Sequence, residues 1–134
     1  ALPASNAAAV LAALDIIENE PQHVQRLWDN ADYMRAGFKA LGYDTGVSNS
    51  AIIPVLIRED YRTALAWRAL IDAGVYTNPV IPPAVPPNSS LLRTSYMATH
   101  TREHLDRALQ AFKVVGERLD FIQPKQEPLP AAGD

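Results

Sequence analysis

The stretch that decides the fold runs from Leu91 to Thr101 and reads LLRTSYMATHT. It follows a proline-rich connection, NPVIPPAVPP, at residues 78–87. Arg93 is the single charged residue in the strand-like part of this stretch. Because a guanidinium costs free energy to remove from water, an arginine in this setting predicts an anionic partner, and a carboxylate suits its planar fork. The pattern leaves a second interpretation open. In it, Arg93 lies on the open face of a sheet, with the aliphatic part of its side chain packed on the sheet and its guanidinium in water.

Outward from this stretch, the sequence predicts helix, helix, strand, helix, strand, strand, helix and tail. Residues 51–57 form a short, β-branched apolar run, which indicates a buried strand. Residues 75–81 and 91–97 indicate two more strands. The connection between them is expected at a sheet edge or off the sheet, because proline cannot donate to a ladder. The predicted fold class is α+β, with a small, mainly antiparallel three-stranded sheet covered by helices.

The first predicted helix, capped by Ser5 or Asn6 and running to about Glu18, is apolar on nearly every side. Such a helix needs cover all round. Either a further domain or a central place in this chain's own core would supply that cover. The second helix is expected to begin at Pro21 and end at Gly42. Its apolar stripe faces a core and consists of Val24, Leu27, Ala31, Met34, Phe38 and Leu41.

The third predicted helix is capped by Asp60 and ends at Gly74. Its inward face is expected to hold Ala64, Trp67, Leu70 and Ile71. Thr101 is expected to cap the last helix, whose apolar face holds Leu105, Ala108, Phe112, Val115 and Leu119. Residues 123–134 are rich in Pro and polar residues and are predicted to be disordered.

Composition excludes several classes of partner. With 134 residues, 48% of them hydrophobic, the chain has room for one domain with a core. A net charge of −3 provides no basic surface for nucleic acid or for an anionic membrane. The absence of cysteine rules out disulfides and thiolate metal sites, and it is compatible with a reducing cytoplasm. The apolar opening is interrupted by Asp15 and Glu18, so we expect neither a signal peptide nor a membrane span.

One motif competes with carboxylate recognition. His100, Glu103 and His104 spell HxxEH, the inverted zinc-protease signature, which needs both histidines on one helix face. If Thr101 caps the helix, His100 lies outside it and off that face. Glu103 then fits better as a first-turn carboxylate that the helix dipole favours, and no metal is predicted.

Several segments carry a family resemblance. GVYTNPVIPPAVP at residues 74–86, LLR at 91–93 and ATHTREHLDRAL at 98–109, in this order, resemble the C-terminal segment of the α-oxoamine synthases, which depend on pyridoxal phosphate. LPASNAAAVLAALDIIENEP at residues 2–21 is similar to the helix after their cofactor-lysine region. LGYDTGVSNSAIIPVLI at residues 41–57 is similar to the start of their small domain.

The resemblance implies a fold type I enzyme that condenses an amino acid with an acyl-coenzyme A, with loss of carbon dioxide, as a cytoplasmic homodimer. It implies that Arg93 holds the carboxylate of the amino acid. Thr77, Asn78, Pro82 and Pro83 would form a wall beside it. It also implies that residues 1–42 bridge to a larger cofactor-binding domain and that residues 43–122 form the small domain.

The chain departs from the family at the cofactor. Its lysines are Lys39, Lys113 and Lys125, and none follows the Ser-rich stretch that precedes the family's cofactor lysine. No catalytic or cofactor-binding residue is therefore predicted here, and the isolated chain is expected to be inactive. Two rivals stay open: a fragment of an aminotransferase, and a stand-alone module that binds amino acids without chemistry.

Overall fold

The computed structural model describes residues 3–122, which form four helices and three strands. In chain order they are α1 (Ala4–Asn19), α2 (Gln22–Leu41), β1 (Ile52–Arg58), α3 (Asp60–Asp72), β2 (Asn78–Val80), β3 (Ser90–Ser95) and α4 (Arg102–Arg118). The predicted α+β class with a three-stranded antiparallel sheet is confirmed. The predicted disordered tail, residues 123–134, lies outside the described residues.

The sheet has the strand order β1-β3-β2, so β3 is central and pairs antiparallel with both neighbours. Side chains alternate along it. Ile53, Val55, Leu92 and Thr94 are buried beneath the helices, whereas Arg93 on the other face is exposed. β2 is shorter than predicted, with three residues instead of seven. Prolines at 79, 82 and 83 lack the N–H that a longer ladder needs.

An aromatic cluster joins α2 to α4 beneath the sheet. The rings of Phe38, Tyr43 and Phe112 contact one another edge to face, with centroids 4.8–6.0 Å apart. The Tyr43 hydroxyl donates a 2.7 Å hydrogen bond to the carbonyl oxygen of Phe112. Gly116 makes this approach possible, because a Cβ there would collide with the Tyr43 hydroxyl.

The observed helix ends agree only in part with those predicted from the sequence. Gly42 and Gly74 adopt the left-handed conformation that stops α2 and α3, as predicted. Thr101 caps α4, also as predicted, and it forms a capping box with His104. Pro3, not Ser5 or Asn6, precedes α1, and no side chain caps that helix.

The predicted cap of α3 was wrong by one residue. The Glu59 carboxylate accepts from the backbone N–H groups of Tyr61 and Arg62. Asp60 is engaged elsewhere, since its carboxylate accepts from the hydroxyl of the buried Ser90.

The buried face of α3 also differs from the prediction. It consists of Thr63, Ala66, Ala69 and Leu70, whereas the predicted Ala64 is exposed and Trp67 and Ile71 are half-buried. Thr63 can be fully buried because its hydroxyl donates a 2.8 Å bond to the carbonyl of Glu59.

α1 lies outside the core. None of its residues is buried, and the apolar side chains on all its sides are about half exposed. The possibility that α1 is central to this chain's own core is therefore wrong. No helix within residues 3–122 has the length and apolar character needed to cross a membrane.

Candidate functional site

Arg93 lies on the open face of the sheet, in the middle of β3. Its guanidinium forms no ion pair with any of residues 3–122. Three other arginines do have acidic partners: Arg35 with Asp32 at 2.5 Å, Arg58 with Asp44 at 2.6 Å, and Arg68 with Asp72 at 3.2 Å. Arg93 therefore has hydrogen-bonding capacity left for an external anion.

The surroundings of Arg93 on this face are largely apolar. Pro54 of β1 and Asn78 of β2 face it directly across the two strand pairs. The next row on the same face consists of three aliphatic residues, Leu56, Leu91 and Val80. Apolar neighbours lower the local dielectric, so an ion pair at Arg93 would be stronger than one in open water.

A shallow pocket of about 490 Å³ opens beside Arg93. It is lined by Arg93 and by residues 78–84 of β2 and the proline-rich connection. The structure therefore brings together four of the five predicted site residues: Arg93, Asn78, Pro82 and Pro83. The Pro82–Pro83 peptide bond is cis. The three prolines in this lining, Pro79, Pro82 and Pro83, have no backbone N–H, so any hydrogen bond to an anion must come from other residues, such as Arg93 and Asn78.

The fifth predicted residue, Thr77, lies elsewhere. Its position next to Asn78 turns it to the helix-covered side of the sheet, where it is 3% exposed. It lines a separate apolar groove of about 880 Å³ between the ends of β2 and β3 and α4. Its hydroxyl oxygen has no hydrogen-bond partner among the described residues. The structure does not bring Thr77 into contact with the Arg93 pocket.

The two histidines of the HxxEH motif are engaged with the backbone. Nδ1 of His100 accepts from the N–H of Met97, and Nδ1 of His104 accepts from the N–H of Thr101. His100 precedes the cap and lies outside α4, as predicted. Across residues 3–122, no three His, Cys, Asp or Glu side chains are arranged to hold a metal ion.

Asn30 makes a long-range contact that sequence reasoning missed. Its side-chain amide donates to the carbonyl oxygens of Met97 at 2.9 Å and His100 at 3.0 Å. It thereby ties the turn after β3 to α2. The contact joins residues about 70 positions apart, so no local pattern could have indicated it.

The described residues do not fit pyridoxal phosphate by themselves. A covalent cofactor site needs a lysine, and neither the Arg93 pocket nor the apolar groove is lined by one. Lys39 is exposed on α2, and Lys113 is half-buried on α4. Covalent attachment of the cofactor therefore needs a lysine that neither of these two cavities provides.

Comparison with known proteins places the chain in a family. A family model for aminotransferase class I and II matches residues 1–112. The serine palmitoyltransferase of Bacteroides thetaiotaomicron is 40% identical over 120 residues, which are 90% of this chain and 30% of the relative. The 8-amino-7-oxononanoate synthase of Thermoanaerobacter pseudethanolicus is 40% identical over 122 residues, 91% of this chain and 31% of that protein.

Solved structures agree with these sequence matches. A structure described as SPT with PLP superposes with a TM-score of 0.86 at 33% identity, over 91% of this chain and 31% of that one. Serine palmitoyltransferase of Sphingomonas wittichii superposes with a TM-score of 0.70 at 33% identity, over 73% of this chain and 25% of that one. This chain spans about a third or less of each relative. It belongs to the aminotransferase class I and II family and, within it, to the α-oxoamine synthases.

Proposed function

We propose that this chain is the C-terminal part of a pyridoxal-phosphate-dependent acyltransferase, and that its Arg93 binds the carboxylate of the amino-acid substrate. The parent enzyme would join an amino acid to the acyl group of an acyl-coenzyme A, with loss of carbon dioxide. The observation that carries the proposal is the exposed guanidinium of Arg93, without an ion pair among residues 3–122, on an apolar sheet face.

The residues of this chain would orient the amino-acid substrate. A carboxylate and a guanidinium form two parallel, charge-assisted hydrogen bonds, which fix both the distance and the rotation of the anion. With its carboxylate held in this way, an amino acid keeps its α-carbon in one orientation relative to the rest of the active site. Asn78, Pro82 and Pro83 would border the bound amino acid on one side. Thr77 would act only indirectly, through the strand that it shares with Asn78.

The rest of the enzyme would supply the cofactor site. Residues 1–42 would connect to that larger part, which fits the exposed α1 and the small share of each relative that this chain spans. The parent enzyme would be a cytoplasmic homodimer. The isolated chain would not catalyse the reaction, because neither cavity of its described part is lined by a lysine.

An aminotransferase is the second candidate, favoured by the description of the matching family model. Such enzymes also use an arginine for the substrate carboxylate, so the Arg93 pocket fits either reaction. The complete protein would be assayed with glycine, L-alanine and L-serine, each in the presence of a series of saturated acyl-coenzyme A thioesters. Product formation that requires the thioester supports the synthase. Turnover that requires a 2-oxo acid instead would identify an aminotransferase.

The role of Arg93 is tested by kinetics in the complete protein. Arg93→Ala should raise KM for the amino acid about tenfold to a hundredfold, since a charge-assisted hydrogen bond is worth about 1.5–3 kcal/mol. Arg93→Lys should recover part of this loss, because an ammonium cannot reproduce the planar fork. KM for the acyl-coenzyme A should change little.

Arg68→Ala is the matched control. This substitution removes the positive charge of Arg68, which is exposed on α3 and does not line the Arg93 pocket. Its KM for the amino acid should equal that of the unaltered enzyme. Equal effects of the Arg93→Ala and Arg68→Ala substitutions would contradict the proposed role.

A further inference from the structure

We infer that Asn78 is a second determinant of carboxylate binding, which orients the Arg93 guanidinium and shares the bound anion with it. The inference rests on the proposed function, because it concerns the same site. Asn78 is the residue of β2 that faces Arg93 across the β2–β3 pair. Both residues line the pocket of about 490 Å³.

The register of the strands places the two side chains within reach of each other. Residues directly opposite on antiparallel strands point to the same face, with Cβ atoms about 4.5–5.5 Å apart. On its other side Arg93 faces Pro54, whose ring offers no hydrogen-bonding atom. In this row of the sheet, Asn78 is therefore the polar neighbour of Arg93.

The amide of Asn78 suits both tasks. Its oxygen can accept a hydrogen bond from the guanidinium and thereby restrain the orientation of that planar group. Its NH₂ group can donate to a carboxylate oxygen. Asn78 is half-buried, and its side chain takes no part in the hydrogen bonds among residues 3–122. A neutral amide restrains the arginine without neutralising its charge. An acidic residue at this position would instead compete with the substrate for Arg93.

The test compares two substitutions in the complete, cofactor-loaded protein. The ligands are the best substrate among glycine, L-alanine and L-serine, and the carboxamide of the same amino acid, which lacks the carboxylate. Affinity is measured by calorimetry without acyl-coenzyme A, alongside KM. Asn78→Ala should weaken binding of the amino acid about two- to tenfold, because it removes a single hydrogen bond whose donor carries no net charge. Asn78→Asp should weaken it more, by at least about tenfold, because the new carboxylate pairs with Arg93 and repels the substrate.

This order of effects separates a binding role from a structural one. Aspartate has nearly the shape of asparagine, so a residue that only supports the strand would tolerate Asn78→Asp better than Asn78→Ala. Binding of the carboxamide should be little changed by Asn78→Asp, because that ligand has no carboxylate to repel. Asn88→Asp is the matched control, since it makes the same charge change in the segment between β2 and β3, outside the pocket lining. It should leave the affinity for the amino acid unchanged within about twofold.

A double substitution tests the link to Arg93. Because Arg93 fixes the anion that Asn78 shares, Asn78→Ala should weaken affinity less in an Arg93→Ala background than in the unaltered enzyme. Additive effects, or a milder effect of Asn78→Asp than of Asn78→Ala, would overturn this inference while leaving the role of Arg93 intact. An Arg93→Ala enzyme that still prefers the amino acid to its carboxamide as strongly as before would overturn the proposed function itself.

Discussion

The two faces of the central strand, β3, differ in what covers them. Leu92 and Thr94 point into the core and are at most 5% exposed. Arg93, between them, points to the open face. Alternation along one strand thus separates two tasks: one face stabilises the fold, while the other is free to hold a ligand. A substitution on one face should therefore leave the task of the other face largely unaffected.

A similar contrast separates two helices. α4 buries Leu105, Phe112 and Val115, whereas α1 buries none of its residues. α1 and the open sheet face are thus two apolar surfaces that no other residues among 3–122 cover. We propose that further parts of the parent enzyme cover both.

The largest expected effect on stability concerns Leu92, the residue next to Arg93 on the covered face. Leu92→Ala should lower the free energy of unfolding by about 2–5 kcal/mol, because it leaves a cavity in the core. Leu91→Ala, on the open face, should cost about 1 kcal/mol, because Leu91 is only half-buried. Urea denaturation of the 134-residue chain, followed by circular dichroism, measures both. Equal losses would show that the two faces do not differ in this way.

A smaller effect is expected at Thr94. Its hydroxyl donates to the carbonyl of Ile53 at 2.8 Å and accepts from the hydroxyl of Tyr96 at 2.9 Å. Burial raises the pKa of Tyr96, so its hydroxyl remains a donor throughout the neutral range. Thr94→Val keeps the shape but leaves these groups without a partner, and it should cost about 1–3 kcal/mol.

The neighbouring Ser95, which is exposed, provides the control. Ser95→Ala should change the free energy of unfolding by less than about 0.5 kcal/mol in the same denaturation experiment. A loss at Ser95 as large as that at Thr94 would mean that the end of β3 does not alternate in the way described here.

The smallest effect on stability is expected in α1. The double substitution Leu11→Ser and Leu14→Ser should change the unfolding free energy by less than about 0.5 kcal/mol, because α1 buries no residue and neither side chain packs against the core. It should weaken self-association of the isolated chain, which we expect the apolar surface of α1 to drive. Sedimentation velocity measures this.

Val47→Ser serves as the control for α1, since Val47 is a single apolar residue that is 98% exposed. It should leave self-association as it was. If the unaltered chain sediments as a monomer, the proposed partner surface on α1 is wrong.

Local chemistry made much of the fold predictable. The glycine stops of α2 and α3, the Thr101 cap and the apolar face of α4 follow from periodicity and capping residues. The predicted face of α2 is correct at Ala31, Met34 and Phe38, whereas the predicted Val24 is exposed, in the first turn of the helix, at the end that lies outside the core.

The predictions were wrong where tertiary contacts determine which residues of a helix are buried and which residue caps it. The buried face of α3 includes Thr63, whose hydroxyl bonds back to its own helix. Asp60 is held by Ser90, about 30 residues away, so Glu59 caps that helix instead.

The candidate site was predictable to a similar degree. Arg93 stood out because it is one charge in an uncharged strand, whereas the family resemblance, not the pattern, implied that Asn78, Pro82 and Pro83 lie beside it. The register between β2 and β3 could not be derived from the sequence. It decides that Asn78 faces Arg93 and that Thr77 faces the core.

The most direct test of the central claim measures affinity and stability together for Arg93→Ala in the complete protein. Calorimetric titration with the amino-acid substrate and with its carboxamide gives the affinity, and thermal denaturation gives the stability. We predict a loss of about tenfold to a hundredfold for the amino acid, little change for the carboxamide and an unchanged melting temperature. Unchanged affinity together with a lowered melting temperature would show that Arg93 stabilises the sheet and does not bind a carboxylate.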